Sequence, residues 1–448
     1  MSYVKGTIRL GMSMAIASTV FSLLSTPASA ANWFKLLNEP PTSHALAIYG
    51  YLGPTYTYTG GTAAANGQVP LANLIAPQFT SHNSFSMLYA RLMARGMINK
   101  HISYFLGIEF GNNLYVSPDG KYIPKIINAA ATFSYIPGVR IAAGVMAPPG
   151  SEAAMEGYMD YQFTGFSVVS AQLMLQPYYN PSPLTSYTPN GNGGFLVPSS
   201  DYQGIDPFRN TGVEATDWFR NGPWQFAYGA FVGNYGPPLA SNESNGPFVA
   251  GRIQESYIFG GHGPFRSDIT GFLWYQHANP LFNGHTYSLS RSGLGLTYMQ
   301  NFMHPWGRWV KFEYMRGSGM ITGPAAFNET ANMPPVLYEP SVYPGSSNTA
   351  NGYYVGGGLF VTHRLEVDMR YDRYDLLPNI PAQNRVFKTW AVGFQYHFTP
   401  LTRVLVDYYI RGLDIPHIDA IPPAGRGLAE SISHAFDNEI SVQAIIGF

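Results

Sequence analysis

Residues 363–374 read HRLEVDMRYDRY. In an extended chain Arg364, Glu366, Asp368, Arg370 and Asp372 fall on one face, and Leu365, Val367, Met369 and Tyr371 on the other. Successive side chains of a strand point to opposite sides of a sheet, so this stretch predicts a strand with one charged face and one uncharged face. The rhythm returns at 401–411, where Arg403, Asp407 and Arg411 oppose Val404, Val406, Tyr408 and Ile410. At 101–110, His101, Ser103 and Glu109 oppose Ile102, Tyr104, Leu106, Ile108 and Phe110. At 386–398, Thr389, Gln395 and His397 oppose Trp390, Val392, Phe394, Tyr396 and Phe398. A soluble sandwich alternates too, with its polar face outward. A transmembrane barrel is inverted, apolar toward lipid and polar toward the lumen. Two features favour the barrel. Aromatic residues gather at the ends of the apolar faces, as they do at membrane interfaces. Charged residues make up only 11% of the chain, against roughly 25% in a soluble domain, too few to solvate a sandwich of this size.

The whole chain fits that reading. Its 448 residues are 15% aromatic and include 48 Gly and 35 Pro. A net charge of −1 gives no basic footprint for nucleic acid. The absence of Cys removes disulfides, thiolate nucleophiles, iron–sulfur clusters and covalent haem attachment. At the N-terminus, Lys5 and Arg9 precede an apolar run from Leu10 to Leu24, and Ala28-Ser29-Ala30 supplies small residues for cleavage. Residues 1–30 therefore read as a secretory signal peptide cleaved before Ala31, since about 15 apolar residues are too few to span a bilayer. The mature chain 31–448 would carry 23 basic and 26 acidic residues, a net charge of −3. No later stretch of 18 apolar residues appears. An exported chain without a hydrophobic helix is either soluble or a barrel, the other structure that satisfies its backbone in lipid.

The terminal segment alternates as well. Phe436, Ile440, Val442, Ala444, Ile446 and Phe448 oppose Asp437, Glu439, Ser441 and Gln443, and the sequence stops at Phe448. A last amphipathic strand ending in Phe resembles the sorting signal of bacterial outer-membrane barrels. Tight connections are expected at Pro137-Gly138, Asn221-Gly222-Pro223, His304-Pro305, Thr362-His363 and Thr399-Pro400. Long ones are expected at about 59–84, 111–125, 236–247, 318–350, 375–385 and 412–435. Short turns at one end and long loops at the other are the outer-membrane pattern. A direct count gives 17 strands, an odd number that a bacterial barrel excludes. Either 148–178 does not span, giving 16, or a strand hides near 192–203, giving 18. Pro148-Pro149-Gly150 ends a strand abruptly and 151–156 reads as helical, which favours 16 strands and a loop folded inward as a constriction. The fold class is thus all-β, an antiparallel transmembrane β-barrel.

Several stretches, in order and spacing, resemble the phosphate-selective porin O and P family. They are Gly138-Val139-Arg140-Ile141 through Ala147-Pro148-Pro149-Gly150-Ser151-Glu152, Gly352-Tyr353-Tyr354-Val355 through Arg370-Tyr371-Asp372, Ala391-Val392-Gly393-Phe394-Gln395-Tyr396, and Asp437-Asn438-Glu439-Ile440 through Phe448. The resemblance implies a trimeric, 16-stranded outer-membrane channel for small solutes. The partners expected are outer-membrane lipid and small ions and solutes, and no cofactor is expected. The resemblance also implies anion selectivity carried by rows of Lys and Arg, and here the chain departs from it. Lys occurs only seven times, and no Lys or Arg lies between Ile141 and Phe208. That stretch carries Glu152, Glu156, Asp160, Asp201 and Asp206. Glu152, Glu156 and Asp160 are spaced so that a helix would place them on one face. Facing a constriction, they would favour cations and oppose phosphate; on a solvated loop outside the pore, the alternative reading, they would do neither. On the wall, Arg364, Arg370, Arg403 and Arg411 alternate with Glu366, Asp368, Asp372 and Asp407, joined by Lys311 and Glu313. Such mixed rows are expected to form cross-strand ion pairs that stiffen the wall. The expectation is a weakly selective, cation-leaning pore.

Catalytic signatures are missing. The eleven His are scattered, with His277 and His285 flanking a loop and His304 in a tight turn. No HExxH spacing or nucleophile elbow occurs, so an outer-membrane hydrolase is the weaker reading. Gly356-Gly357-Gly358 lies in an alternating strand and reads as close packing. A structural or adhesive barrel plugged by its loops is the other rival.

Overall fold

A computed structural model describes residues 46–59, 83–113, 123–157, 161–183, 185–198, 201–205, 208–241, 243–261, 266–324, 340–434 and 436–448. Residues 1–45, and with them the signal peptide, lie outside these, as do Asp160 and Asp206.

The alternating stretches become the staves of a closed barrel. In chain order they are β1 (Ala47–Thr59), β2 (Asn83–Asn99), β3 (Ile102–Glu109), β4 (Lys125–Ile136), β5 (Val139–Met146), β6 (Asn210–Asn221), β7 (Trp224–Gly233) and β8 (Phe248–Gly260). There follow β9 (Ser267–Ala278), β10 (Leu289–Gln300), β11 (Arg308–Ser318), β12 (Thr349–Phe360), β13 (Leu365–Leu376), β14 (Arg385–Thr399), β15 (Thr402–Asp414) and β16 (Glu439–Gly447). Each pairs antiparallel with its sequence neighbours, and β16 closes the ring on β1 through pairs such as Tyr56↔Val442 and Tyr58↔Ile440. Closure leaves no sheet edge, which is the condition for a sheet to cross lipid. The count is sixteen, and 148–178 is not a stave.

The outer face is apolar and exposed. Met369 and Leu273 are each 53% exposed and Phe394 51%, while their inward neighbours Asp368, Trp274 and Gln395 are buried. A water-soluble fold would reverse this, so the exposed apolar belt is the lipid-facing surface. Aromatic pairs such as Tyr371–Trp390 and Trp224–Tyr257 band its two ends. An exposed acid interrupts it at Glu255 of β8, set opposite Phe226.

The tight turns fall where Pro and Gly marked them, with Gly138 and Gly222 at φ +80 and +60, the left-handed region a hairpin demands. Two further short connections follow β2, at Lys100-His101, and β8, at 261–266; the first has no Pro or Gly, whereas the second contains Gly261 and Gly263-Pro264 in its sequence. The terminal strand runs as expected, and Phe448 exchanges two backbone hydrogen bonds of 3.0 Å with Gly50. Phe436 is a correction. It precedes β16 and is buried, with Arg411 stacked over its ring, and so does not belong to the lipid face. The last long connection also holds a helix, α2 (Pro423–His434), following the short α1 (Glu152–Met155).

Candidate functional site: a lumen narrowed by an inward loop

After β5 the chain turns into the barrel. Pro148, Pro149 and Gly150 are buried, and two wall residues meet them at once. Gln276 Nε2 donates to the Pro149 carbonyl at 3.2 Å, and Arg252 Nη1 donates to that of Gly150 at 2.9 Å. Arg252 Nη2 also donates to the Glu152 carboxylate at 2.6 Å. The Glu152 backbone N–H points at Glu313 of β11, 3.2 Å away. Glu313 accepts two more hydrogen bonds, from Trp274 Nε1 at 2.8 Å and from the Tyr354 hydroxyl at 3.1 Å. Buried carboxylates persist only when satisfied in this way.

Glu156 and Asp160 were expected to extend the Glu152 face along one helix. The helix stops at Met155, and Glu156 is extended, so Glu152 and Glu156 share no helical face; Asp160 lies outside the described residues. Glu156 instead pairs with Lys311 of β11, whose Nζ also donates to Gln162 Oε1 at 2.8 Å. Both described acids of the trio are therefore neutralised by wall cations.

The loop then crosses the inner faces of β13–β15. Arg403 donates to the Tyr161 carbonyl, and Gln395 Nε2 to that of Gln162 at 3.0 Å. Asp407 accepts the Thr164 N–H at 2.7 Å, and the Tyr409 hydroxyl accepts that of Gly165 at 2.9 Å. Arg370 donates to the carbonyls of Gly165 and Phe166 at 3.0 and 3.1 Å, and Asp372 accepts the Val168 N–H at 3.2 Å. The chain passes next to Arg291 of β10, which donates to the Leu173 carbonyl and to Gln176 Oε1. Wall carboxylates thus accept the loop's N–H groups and wall guanidiniums cover its carbonyls. A segment without regular structure can sit inside a barrel only under that condition.

This changes the role of the mixed rows. Cross-strand ion pairing does occur between Arg411 and Glu439, 3.2 Å, and His397 Nε2 makes a cross-strand hydrogen bond to the Glu366 carboxylate, 2.8 Å. Arg370 and Asp372 pair along one strand, at 2.8 Å. Lys311, Arg403, Asp407, Arg370, Asp372 and Glu313 all bind the loop. Glu366 takes the Trp309 indole N–H at 2.6 Å, and Asp368 takes Gln395 Nε2 at 2.6 Å. Arg364 is a second correction. It lies in the turn before β13 and is exposed, because the strand's ladder begins only at Leu365.

The loop leaves a passage on the far side. A cavity of about 420 Å³ lies between residues 164–175 and the walls of β1, β2 and β13–β16. Hydroxyls of Thr55, Thr57, Ser84, Ser86, Thr389 and Ser441 line it, facing Phe166 and Tyr409. Its charged lining residues are two cations, Arg370 and Arg411, and two anions, Asp372 and Glu439. Alternation placed Ser441 and Thr389 on an inward face. The hydroxyl pairs of β1 and β2 carried no charge and drew no attention in the sequence.

Toward the long-loop end, parts of two loops join. Phe195–Leu196 pairs with Ser341–Tyr343, which pairs in turn with Ile321–Gly323.

A closed sixteen-stranded antiparallel barrel, apolar outside and with a loop pinned in its lumen, is the architecture of an outer-membrane porin, and it places the chain in the bacterial outer membrane. No protein-family model matches the sequence, and no curated protein matches it. Solved structures match in fold. OmpF of Salmonella typhi, in complex with daunomycin, aligns at a TM-score of 0.51 and 13% identity over 90% of this chain and 97% of its own. The anion-selective porin of Comamonas acidovorans aligns at 0.49 and 12%, over 90% and 99%. The outer-membrane channel DcaP of Acinetobacter baumannii aligns at 0.49 and 13%, over 92% and 100%. At these identities the likeness is one of fold.

Proposed function

We propose that the barrel is a passive diffusion channel for small hydrophilic solutes and ions, with weak charge selectivity. The observation that carries this is the balanced lining of the passage. Arg370 and Arg411 are matched by Asp372 and Glu439 on the same wall, and the facing loop contributes only neutral residues. Charges paired within a few ångströms project little field into the lumen, so neither ion sign is concentrated there. The neutralisation of Glu152 by Arg252 and of Glu156 by Lys311 removes the acidic face that would have favoured cations. Phosphate selectivity, which the family resemblance implies, would need uncompensated cations along the passage. Reversal potentials in a KCl gradient test the proposal. A cation-to-anion permeability ratio within a few-fold of unity supports it, and strong anion selectivity with block by phosphate refutes it.

Two further elements belong to the same proposal. The channel assembles as a homotrimer in outer-membrane lipid, and it carries no enzymatic activity. Native mass spectrometry of the detergent-extracted protein reads the first, and lipid- and peptide-hydrolysis assays read the second.

A further inference from the structure

We propose that the outer surface carries a binding site for a phosphorylated glycolipid headgroup of the outer leaflet, built on Arg316 of β11 and Arg373 of β13. Both occupy outward positions, in step with Tyr314 and Tyr371. Arg316 is exposed and Arg373 half-buried, and neither has a hydrogen-bond or ion-pair partner among the described residues.

Their level in the membrane follows from the strands. β11 ends at Ser318 and β13 at Leu376, and both lead into the connections opposite the tight turns. In an outer-membrane barrel these longer connections face the cell exterior. Immediately below the arginines sit the outward rings of Tyr314, Tyr353, Tyr371 and Trp390, an interface girdle, and below them Phe312, Val355, Met369 and Val392. Guanidinium groups just above such a girdle meet headgroups.

The register brings the polar groups together. Asn351 of β12 lies opposite Arg316, and Arg373 lies opposite Lys388. Of the two neighbouring acids, Asp414 pairs with Lys388 at 2.5 Å, and Asp375, which lies opposite Asn351, accepts the neutral Asn384 Nδ2 at 2.7 Å and keeps its charge. Arg316, Arg373 and Lys388 against Asp375 and Asp414 leave the patch one net positive charge. Guanidiniums bind phosphate through paired N–H donors, and the Asn351 amide adds a neutral donor between them. The outward Arg308, at the opposite end of β11, differs: its Nη2 donates to Gln300 Oε1 at 2.9 Å. The site lies across the wall from the passage, so it stands whether or not the barrel conducts.

The test uses the folded full-length mature protein in detergent. Affinity is measured for bisphosphorylated lipid A, for the same glycolipid stripped of phosphate, and for inorganic phosphate. The wild type is expected to prefer the phosphorylated glycolipid about tenfold. An Arg316→Gln/Arg373→Gln double variant loses that preference while keeping heat-modifiable electrophoretic mobility, and Arg308→Gln keeps the preference. Equal affinity of the wild type for both glycolipids, or an unchanged preference in the double variant, overturns the proposal. So does inorganic phosphate binding as tightly as the phosphorylated lipid, because the lipid would then not be the occupant.

Discussion

Replacing Arg370 with Met should free the inner loop and tilt the selectivity of the passage in one step. The side chain donates to two loop carbonyls, at 3.0 and 3.1 Å, and makes two hydrogen bonds to Asp372, at 2.8 and 3.1 Å. A hydrogen bond to a charged group contributes roughly 1.5–3 kcal/mol. Stranding the carboxylate of a buried ion pair costs roughly 3–5 kcal/mol. Asp372 is buried but borders the passage, and it keeps its bond from the Val168 N–H. The lower end, about 3 kcal/mol, is therefore the appropriate figure. At about 1.4 kcal/mol per tenfold, the undocked fraction of the loop rises by about two orders of magnitude. The variant also leaves Arg411 alone against Asp372 and Glu439. Single-channel recordings in planar bilayers should show larger, noisier currents and a reversal potential displaced toward cations. Arg370→Lys separates the two effects: the charge returns, and the reversal potential with it. A lone ammonium cannot span both carbonyls and the carboxylate, so the noise stays. Wild-type noise and reversal potential in Arg370→Met would refute the assignment of this wall residue as an anchor of the loop.

Three other outcomes follow from the geometry. Burial pushes the Glu243 carboxyl, in the connection between β7 and β8, up to about 7 from its ordinary 4.5. The folded state therefore favours the protonated acid, and its contribution to stability is complete below 4.5 and lost as pH rises through about 7; hydrogen-exchange protection factors over 234–247, corrected for the intrinsic pH dependence of the rate, should fall across that window in the wild type and not in Glu243→Gln. Gly144 of β5 sits at φ +134, where an added Cβ would fall on the backbone carbonyl of Ala129, so Gly144→Val should cost at least about 2 kcal/mol and lower the yield of heat-modifiable barrel on refolding. Glu255 is an exposed carboxylate on the lipid-facing belt, and Glu255→Leu should stabilise the folded barrel in bilayers by about 1–2 kcal/mol, less than the ~2–4 kcal/mol that basic residues cost at the bilayer midplane, as read by denaturant titration.

The staves were legible because lipid and lumen impose opposite demands on alternate residues, and that demand is local. Met369 between Asp368 and Arg370 carries the whole message in three residues. Pro148-Pro149-Gly150 likewise marked where spanning ended, and sixteen strands followed from it. What the lumen residues do was not legible in the same way. Lys311 and Glu156 are 155 residues apart, and Thr164 and Asp407 are 243 apart. No spacing along the chain announces such contacts, so residues that bind the loop looked like partners of one another. Glu152 and Glu156 shared a helical spacing, but Arg252 and Lys311 lie on different strands and hold the two carboxylates separately. Arg364 continued the parity of its strand beyond the point where the ladder begins. The passage escaped notice because its hydroxyl lining is chemically quiet, and only closure of β16 on β1 brings Ser441 beside Thr57.

The chain's lack of Cys permits the most direct test of the wall itself. Single cysteines placed at Thr57 and Ser86, which line the passage, and at Leu294 and Met369, which face outward, can be exposed to a membrane-impermeant thiol reagent with the protein reconstituted in bilayers. The account predicts rapid modification of the first two and protection of the second two. Protection at 57 and 86 with modification at 294 and 369 would mean that the sheet presents its faces the other way round, and the barrel described here would not be the structure in the membrane.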